Sequence, residues 1–390
     1  MEPLAPLSWG GVLSGVFIQF IPVWIALIVS FALSIRFKRH LGLFGKLFDS
    51  RVGRVGFGIV MFWVFTAIFA NMIITMDPLA QFSGSKNAIV GSALQTPSEG
   101  AYTHFLMGAD HVARDVFSRM VMGARAVLKI APAATVFAFM VGVTLGLPAG
   151  YFGGALDTVL SFLANLVLAF PVILLFYLLV TPEIVQTGIP IYFAAVLFIF
   201  PIVFFTILLN SRFFTNPPKR NLYVGLTLLI GLWAYSGLAF NMDPVGLFTM
   251  DPNLLNVFVA VVFVNSPGVF RIVRGMVMDI KTRDYVAAGQ TRGEGPWYIM
   301  LWEILPNARG PLIVDFCLRI GYTTILLGTL GFFGLGVSPE SPDWGSTIDD
   351  GRKLLSIVPH PALVPALALM SLVLGLNLLA DGLREESLKD

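Results

Sequence analysis

Long apolar stretches separated by shorter polar ones dominate this chain. A helix of about 20 apolar residues crosses the roughly 30 Å hydrocarbon core of a bilayer. Nine stretches meet that length, and each is continuous rather than alternating: about 12–35, 55–76, 130–152, 156–180, 189–210, 222–241, 254–273, 312–336 and 362–381. The pattern predicts an all-α fold, a polytopic bundle of about nine transmembrane helices.

Composition supports the same class. Hydrophobic residues make up 56% of the 390-residue chain and charged residues only 12%, whereas soluble domains carry about 25% charged residues. That leaves too little polar surface for a water-soluble particle of this size. A net charge of +2 does not suggest a nucleic-acid partner. One cysteine, Cys317, and four scattered histidines indicate neither a disulfide framework nor a metal site.

The basic residues predict an orientation, because cytoplasmic loops of membrane proteins are enriched in Lys and Arg. They cluster in 36–54, 211–221, 271–309 and the tail after 381. If all four segments are cytoplasmic, nine helices place the N-terminus outside and the C-terminus inside. The loops then left outside, 181–188 and 242–253, contain no Lys or Arg.

One basic segment does not fit this pattern directly. Residues 113–129 carry Arg114, Arg119, Arg125 and Lys129, yet helix parity places them outside. Their apolar residues recur at roughly helical spacing. We predict an amphipathic helix lying in the outer membrane interface; a miscounted helix is the alternative.

Residues 284–307, DYVAAGQTRGEGPWYIMLWEILPN, form an unusually polar connection. The stretch 283–291 predicts a short helix with a small-residue patch, Ala287, Ala288 and Gly289, which another backbone could approach closely. Gly293 and Gly295 break this helix, and Pro296 suits the first position of a second short helix. Pro306 is expected to end that helix. From physics alone, the segment is either a docking element for another protein or an ordinary cytoplasmic loop.

The same stretch resembles the cytoplasmic coupling loop of ABC importer permeases. The pattern of that loop is Glu-Ala-Ala, three residues, Gly, nine residues, then Ile-x-Leu-Pro. Gly293 matches the glycine, and Leu305-Pro306 match the end at the correct spacing. Residues Asp284, Tyr285, Val286 and Ala288 fit the oligopeptide/dipeptide branch. The departures are Ala287 in place of the glutamate, Gly289 in place of the second alanine and Glu303 in place of the isoleucine.

Three further segments resemble the same family, in the family's order: RDVFSRMVMGAR (114–125), PAGYFGGALD (148–157) and GFFGLGVSPESPDWGSTIDDGR (331–352). The chain therefore resembles the second-permease (C-type) branch of the oligopeptide/dipeptide (peptide/nickel/opine) transport family. The resemblance covers about 113–180 and 254–385, plus the span at 55–76.

The resemblance implies a domain organisation around a type I importer core, which usually has about six helices. Residues 1–54 would be an extra N-terminal helix with a basic cytoplasmic loop. Residues 55–129 would form a transmembrane helix, an external loop and the interfacial helix. Residues 130–385 would form the transporter domain, with a two-helix insertion at about 189–241 and the coupling loop at about 281–307.

The resemblance also implies a function. The chain would be the inner-membrane permease of an ABC importer that carries oligopeptides or dipeptides by alternating access. Oligosaccharide, opine or nickel-chelate substrates are alternatives within the same family. Expected partners are a second permease, two ATPase subunits and an external substrate-binding protein. The ATPase would dock on the coupling-loop residues Asp284, Tyr285, Ala287, Ala288, Gly289, Gly293, Leu305 and Pro306.

ATP and Mg²⁺ would be bound by the partner subunits, because the chain lacks the GxxxxGK[ST] phosphate-binding motif. The chain itself is therefore not expected to be an enzyme, and no catalytic or cofactor-binding residue is predicted in it.

Asp315 and Arg319 are the clearest polar pair within a predicted span. Their i,i+4 spacing places them on one helix face. They either line the transport path or form a structural ion pair that lowers the cost of burying charge. A stand-alone secondary transporter is the rival from another class, but it would require intramembrane carboxylates for ion coupling, and Asp315 already has a nearby cation.

Overall fold

The computed structural model describes residues 4–95, 102–335 and 341–387, and the regular secondary structure within these ranges is helical apart from two isolated β-bridges. Seven of the described helical stretches, with Ile189–Arg212 counted as one, are long and apolar enough to cross a membrane, and the number rises to nine when each of two bent helix pairs counts as one span. This confirms the predicted all-α class.

The helices of the first part of the chain are α1 (Trp9–Gln19), α2 (Ile21–Arg36), α3 (Leu43–Lys46), α4 (Arg51–Ile68), α5 (Ala70–Ile73) and α6 (Val116–Phe152), with a 3₁₀ turn at Lys38–His40. The central part contains α7 (Gly154–Leu168), α8 (Val172–Val180), α9 (Pro182–Gln186), α10 (Ile189–Leu197), α11 (Ile199–Arg212), α12 (Pro217–Phe240) and α13 (Pro252–Ile280).

A polar connection follows, with α14 (Asp284–Thr291), α15 (Pro296–Tyr298), a π-helix at Ile299–Ile304 and α16 (Leu305–Asn307). The last three helices are α17 (Arg309–Phe332), α18 (Trp344–Arg352) and α19 (His360–Ser387).

Prolines bend two of the predicted spans. The pair α1 and α2 is bent by 55°, and α2 begins with Pro22 in its first turn. The pair α7 and α8 is bent by 84°, and Pro171 is the N-cap of α8. Proline lacks the N–H of an ordinary residue and disfavours helix in the residue before it. The spans predicted at 12–35 and 156–180 are therefore bent helix pairs.

The chain divides into two compact units, residues 1–131 with 317–390 and residues 132–316. In the first unit, α4 packs closely along α19. Gly56 permits this approach, since a Cβ there would collide with the backbone at Leu378 and Leu379. Small residues at helix contacts are typical of membrane proteins.

The segment 113–129 differs from the interfacial helix expected. Its residues from Val116 onward are the first turns of the 37-residue helix α6, and they are mostly buried within the first unit. The Arg119 side chain is fully buried and donates from Nε to Thr347 Oγ1 at 3.2 Å. Trp344 Nε1 donates to the Met120 carbonyl at 2.8 Å. The hydrogen-bond partners of Arg119 Nε and Trp344 Nε1 are distant in the sequence, so helical periodicity alone could not reveal that this segment is buried.

The second unit is built around α13, most of whose residues are buried. Three glycines of α6, Gly142, Gly146 and Gly150, recur every four residues along its contact with α13. A Cβ at Gly146 would lie 2.9 Å from Val273 Cβ, and one at Gly150 would lie 2.8 Å from Val277 Cβ. The small residues thus allow α6 and α13 to approach closely.

Candidate functional site

The polar connection after α13 folds as a helix, a glycine turn and a second helical arm. The helix α14 confirms the one predicted at 283–291. Gly293 has φ +78°, a conformation that L-residues with a side chain adopt only with strain, whereas Gly295 is extended at φ −69°. Pro296 then occupies the first turn of α15.

The second arm differs from the short helix expected to end at Pro306. Helical conformation continues through Pro306, by way of the π-helix Ile299–Ile304 and α16, almost to the start of α17. The wider π-turn lies directly before the proline, where the normal i→i−4 hydrogen bond has no donor. The Ala308 N–H donates to the carbonyls of Ile304 and Leu305, both at 3.1 Å. Pro306 therefore lies within the helical arm and does not terminate it.

Both arms are anchored on a hydrophobic core of the second unit. Val286 of the first arm and Ile299, Met300 and Ile304 of the second are each at most 1% exposed. They pack in one cluster with apolar residues of α6 and α13, namely Val143, Leu147, Val269, Val273 and Val277. Fully burying such a side chain contributes about 1.5–3 kcal/mol. The segment is therefore held firmly against the membrane helices.

The predicted site residues divide between an outer and an inner face of this segment. On the outer face, the side chains of Asp284, Tyr285, Ala287 and Ala288 are exposed, as are Gly293 and Pro306, while Leu305 is half-buried. Gly289 is buried instead, and a Cβ there would meet Ile299 and Glu303 of the second arm at 3.8 Å. The small-residue patch open to another protein is therefore corrected to Ala287 and Ala288.

The two arms are also joined by an ion pair. Arg292, next to the glycine turn, donates from an Nη to Glu303 Oε1 at 2.7 Å. Glu303 is one of the departures from the family pattern. In this chain its carboxylate fixes the second arm to the end of α14.

Three polar contacts tie the segment and the preceding end of α13 to the turn between α6 and α7. Gln290 donates to the Tyr151 hydroxyl at 3.1 Å. Lys281 Nζ donates to the Gly150 carbonyl at 2.8 Å. Earlier on α13, Arg274 forms a bidentate ion pair with Asp157, in which an Nη lies 2.6 Å from Oδ2. These contacts had no signal in the residue pattern, although 148–157 is among the segments that resemble the family.

A crevice of about 570 Å³ opens beside the first arm. Asp279 and Arg283, whose side chains pair at 3.2 Å, line it together with Tyr285 and Asn307. Partial desolvation raises the pKa of the Tyr285 hydroxyl further above neutral, and the protonated hydroxyl can donate a hydrogen bond. The crevice extends the exposed polar surface of the segment.

Asp315 and Arg319 both lie on the continuous helix α17, at the predicted i,i+4 spacing, and both are half-buried. Whether they line a transport path or serve the structure stays a prediction.

Among the described residues, seven to nine candidate membrane spans and a helix–turn–helix segment anchored on a core shared with α6 and α13 define a class: a polytopic membrane protein. Comparison with known proteins gives the family. The family model of the "binding-protein-dependent transport system inner membrane component" matches residues 142–385. The chain belongs to this family.

Several curated permeases are similar over most of their length. The glutathione transport system permease protein GsiD of Pectobacterium atrosepticum is 30% identical over 74% of this chain and 73% of its own. The dipeptide transport system permease protein DppC of Alkalihalophilus pseudofirmus is 28% identical over 88% of this chain and 87% of its own. The di/tripeptide transport system permease protein DppC of Pseudomonas aeruginosa is 28% identical over 83% of this chain and 82% of its own.

Membership fixes the general role of the chain. It is the multi-pass inner-membrane permease of an ABC importer, and it works with a separate ATPase and a binding protein. The permease is not itself catalytic, since ATP is hydrolysed by the separate subunits. This confirms the predicted class and excludes the stand-alone secondary transporter.

Proposed function

We propose that this permease carries small peptides, such as dipeptides or oligopeptides, into the cell by alternating access. Support comes from the relatives above, whose names specify dipeptides, di/tripeptides or glutathione, itself a short peptide. Oligosaccharides, opines and nickel chelates are the alternative cargoes.

The segment 281–307 is proposed as the element that the ATPase moves. The observation that carries this proposal is its combination of an exposed outer face and a buried inner face. Ala287 and Ala288 are open to a partner, while Val286 and Ile299 are fixed in a core shared with α6 and α13. A push on the outer face would therefore be transmitted to membrane helices instead of being absorbed by a flexible loop.

The proposed complex contains a second homologous permease and two ATPase subunits. Its proposed orientation places the N-terminus outside, and the C-terminus and the segment 281–307 in the cytoplasm. The distribution of basic residues supports that orientation, because the basic segments coincide with the side on which the ATPase would dock.

A substitution on the outer face tests the docking role. Ala288→Arg adds bulk and charge at an exposed position without disturbing the buried face. We expect the ATPase to co-purify poorly and peptide uptake to fall at least tenfold, at unchanged abundance in the membrane. Ser356→Arg, at an exposed turn far from the segment in the sequence, is the control. Normal co-purification and uptake with Ala288→Arg would disprove docking at this face.

Cargo is tested separately by measuring uptake of a labelled dipeptide, an oligosaccharide and a nickel chelate in cells with and without the chain. Peptide uptake that depends on the chain is the expected result. If only the uptake of another cargo depended on the chain, the peptide assignment would be overturned and the docking proposal would stand.

A further inference from the structure

An apolar groove of about 340 Å³ lies within the second unit, between α11 and α12 and against Phe137 of α6. Its walls include Ile202, Phe205 and Leu209 from α11, and Leu226 and Ile230 from α12. Apart from Phe137, the lining residues belong to the segment 189–241, the predicted two-helix insertion.

We propose that this groove binds one anionic phospholipid, with an acyl chain in the groove and the phosphate at the cationic turn formed by Arg212, Lys219 and Arg220. Arg212 stands three residues after Leu209, the last groove residue of α11. Lys219 and Arg220 stand four and three residues before Tyr223, the first groove residue of α12. Residues three or four apart share a helix face. All three cations therefore stand one helical turn beyond the same end of the groove.

The charge of this turn favours an anion. The chain contains no Asp or Glu between residues 184 and 242. Among the described residues, no acidic side chain pairs with Lys219 or Arg220, and Arg220 Nε contacts only the amide oxygen of Asn221, at 3.3 Å. A phosphate can thus occupy the turn without competing with an internal carboxylate.

The size and surroundings of the groove favour a lipid as the source of that phosphate. From Tyr223 to Leu238 it follows α12 for about 22 Å, which exceeds the roughly 15 Å thickness of one hydrocarbon leaflet. Only 11% of the α12 span and 17% of the α10–α11 span are buried, against 72% of α13. In an inner-membrane protein, such exposed apolar helices face acyl chains.

The cationic turn also contacts the second arm of the docking segment. The Arg212 guanidinium lies 4.7 Å from the centre of the Trp302 ring, and Trp302 Nε1 donates to Ser211 Oγ at 3.1 Å. A lipid phosphate that binds the Arg212 guanidinium therefore also restricts the position of the Trp302 side chain. The inserted helices would in this way connect the lipid composition of the membrane to the element proposed to couple with the ATPase.

Photolabelling of the full-length chain in lipid nanodiscs tests the site. Phosphatidylcholine discs would contain a small fraction of photoactivatable phosphatidylglycerol or of the same acyl probe with a choline headgroup. After irradiation, mass spectrometry maps the label. We expect phosphatidylglycerol to label 198–209 and 223–238 more strongly than the choline probe does. The exposed apolar helix α8 is the internal control, because the stretch 130–211 around it contains no Lys or Arg, and it should show no preference.

Two variants test the contributions of the lipid headgroup and of the acyl chain separately. In K219A/R220A, phosphatidylglycerol labelling should fall about 25-fold or to the level of the choline probe, because each basic side chain near an anionic lipid contributes about five-fold. The control R51A/R54A also removes two cations from a helix start and should leave groove labelling unchanged. Ala234→Phe fills the groove and should lower labelling by both probes. Gel filtration establishes that each variant is folded.

Equal labelling by the two headgroups in the unaltered chain would overturn the proposal, because it would show ordinary boundary lipid. Unchanged phosphatidylglycerol labelling in folded K219A/R220A would overturn it as well. Neither measurement involves transport, so the outcome is independent of the proposed cargo and docking role.

Discussion

Two glycines in the same turn show how backbone conformation decides the role of a residue. Gly293 has φ +78° and Gly295 has φ −69°, and a Cβ at either position would meet no other atom within 4 Å. Any difference between alanine substitutions at these positions must therefore come from the backbone and not from a clash.

We predict that Gly293→Ala reorients the segment 281–307 while Gly295→Ala is tolerated. An L-residue in the left-handed region costs about 1–2 kcal/mol, which the turn can relieve by shifting the first arm. Peptide uptake and ATPase co-purification, normalised to abundance in the membrane, should both fall several-fold in Gly293→Ala only. Equal behaviour of the two variants would show that the turn conformation is not required.

Asp243 organises the loop between α12 and α13. Its carboxylate accepts hydrogen bonds from the backbone N–H groups of Phe248 at 2.7 Å and Val245 at 2.9 Å, and from Trp233 Nε1 at 2.9 Å. These donors, Phe248 foremost, lower the pKa of Asp243 from 3.8 to about 2. A carboxylate whose pKa is lowered on folding stabilises the folded loop above its unfolded pKa, and this contribution disappears as the pH falls through about 2.

We therefore predict that hydrogen exchange of the amides in 245–248, corrected for intrinsic rates, stays slow between pH 7 and pH 4. Asp243→Ala should accelerate their exchange at pH 7, because the N–H groups lose their acceptor. Exchange in the exposed turn 213–216, which has no carboxylate, is the control. Acceleration in the unaltered chain already at pH 4 would show that the lowered pKa is wrong.

At the scale of elements, the ion pair between α7 and α13 is the contact with the clearest testable consequence. The Asp157 and Arg274 side chains are only 16% and 31% exposed. Removing one partner leaves the other charge partly buried and unpaired. Hydrogen bonds to charged groups contribute about 1.5–3 kcal/mol.

We predict that Arg274→Ala lowers the thermal midpoint of the purified permease clearly, and that the exchanged pair D157R/R274D recovers part of the loss. Arg283→Ala removes an Asp279–Arg283 pair whose side chains are 60–70% exposed. Its effect on the free energy of unfolding should therefore be about 0–1 kcal/mol. Similar losses in Arg274→Ala and Arg283→Ala would mean that the buried pair has no special role.

The elements themselves were largely predictable. Apolar runs placed the long helices, because lipid requires every backbone polar group to be satisfied within the helix. The bends after α1 and α7 were missed, although Pro22 and Pro171 were visible, because membrane helices also tolerate proline when neighbours satisfy the freed groups. The π-helix before Pro306 had no comparable signal in the residue pattern.

At the scale of the whole molecule, membrane orientation is the property most open to direct measurement. In a Cys317→Ala background, single cysteines at Pro217 and Gln290 should react with impermeant reagents only from the cytoplasmic side. Cysteines at Val185 and Phe248 should react only from the outside. Permeabilised membranes provide the control for reactivity. Outside labelling at position 290 would refute the orientation and the docking role together.

The sequence by itself determined the all-α membrane class, the approximate spans, the helix–break–helix pattern around Gly293 and the family. Each depends on local or strictly periodic features: apolar run length, a glycine suited to positive φ, and short motifs at fixed spacing. Only the tertiary structure decided that Arg119 is buried, that Gly289 faces the second arm, that Glu303 pairs with Arg292, and that Asp157 pairs with Arg274. The physical reason is that burial and ion pairing depend on which distant helices pack together, and spacing within a single helix does not encode that information.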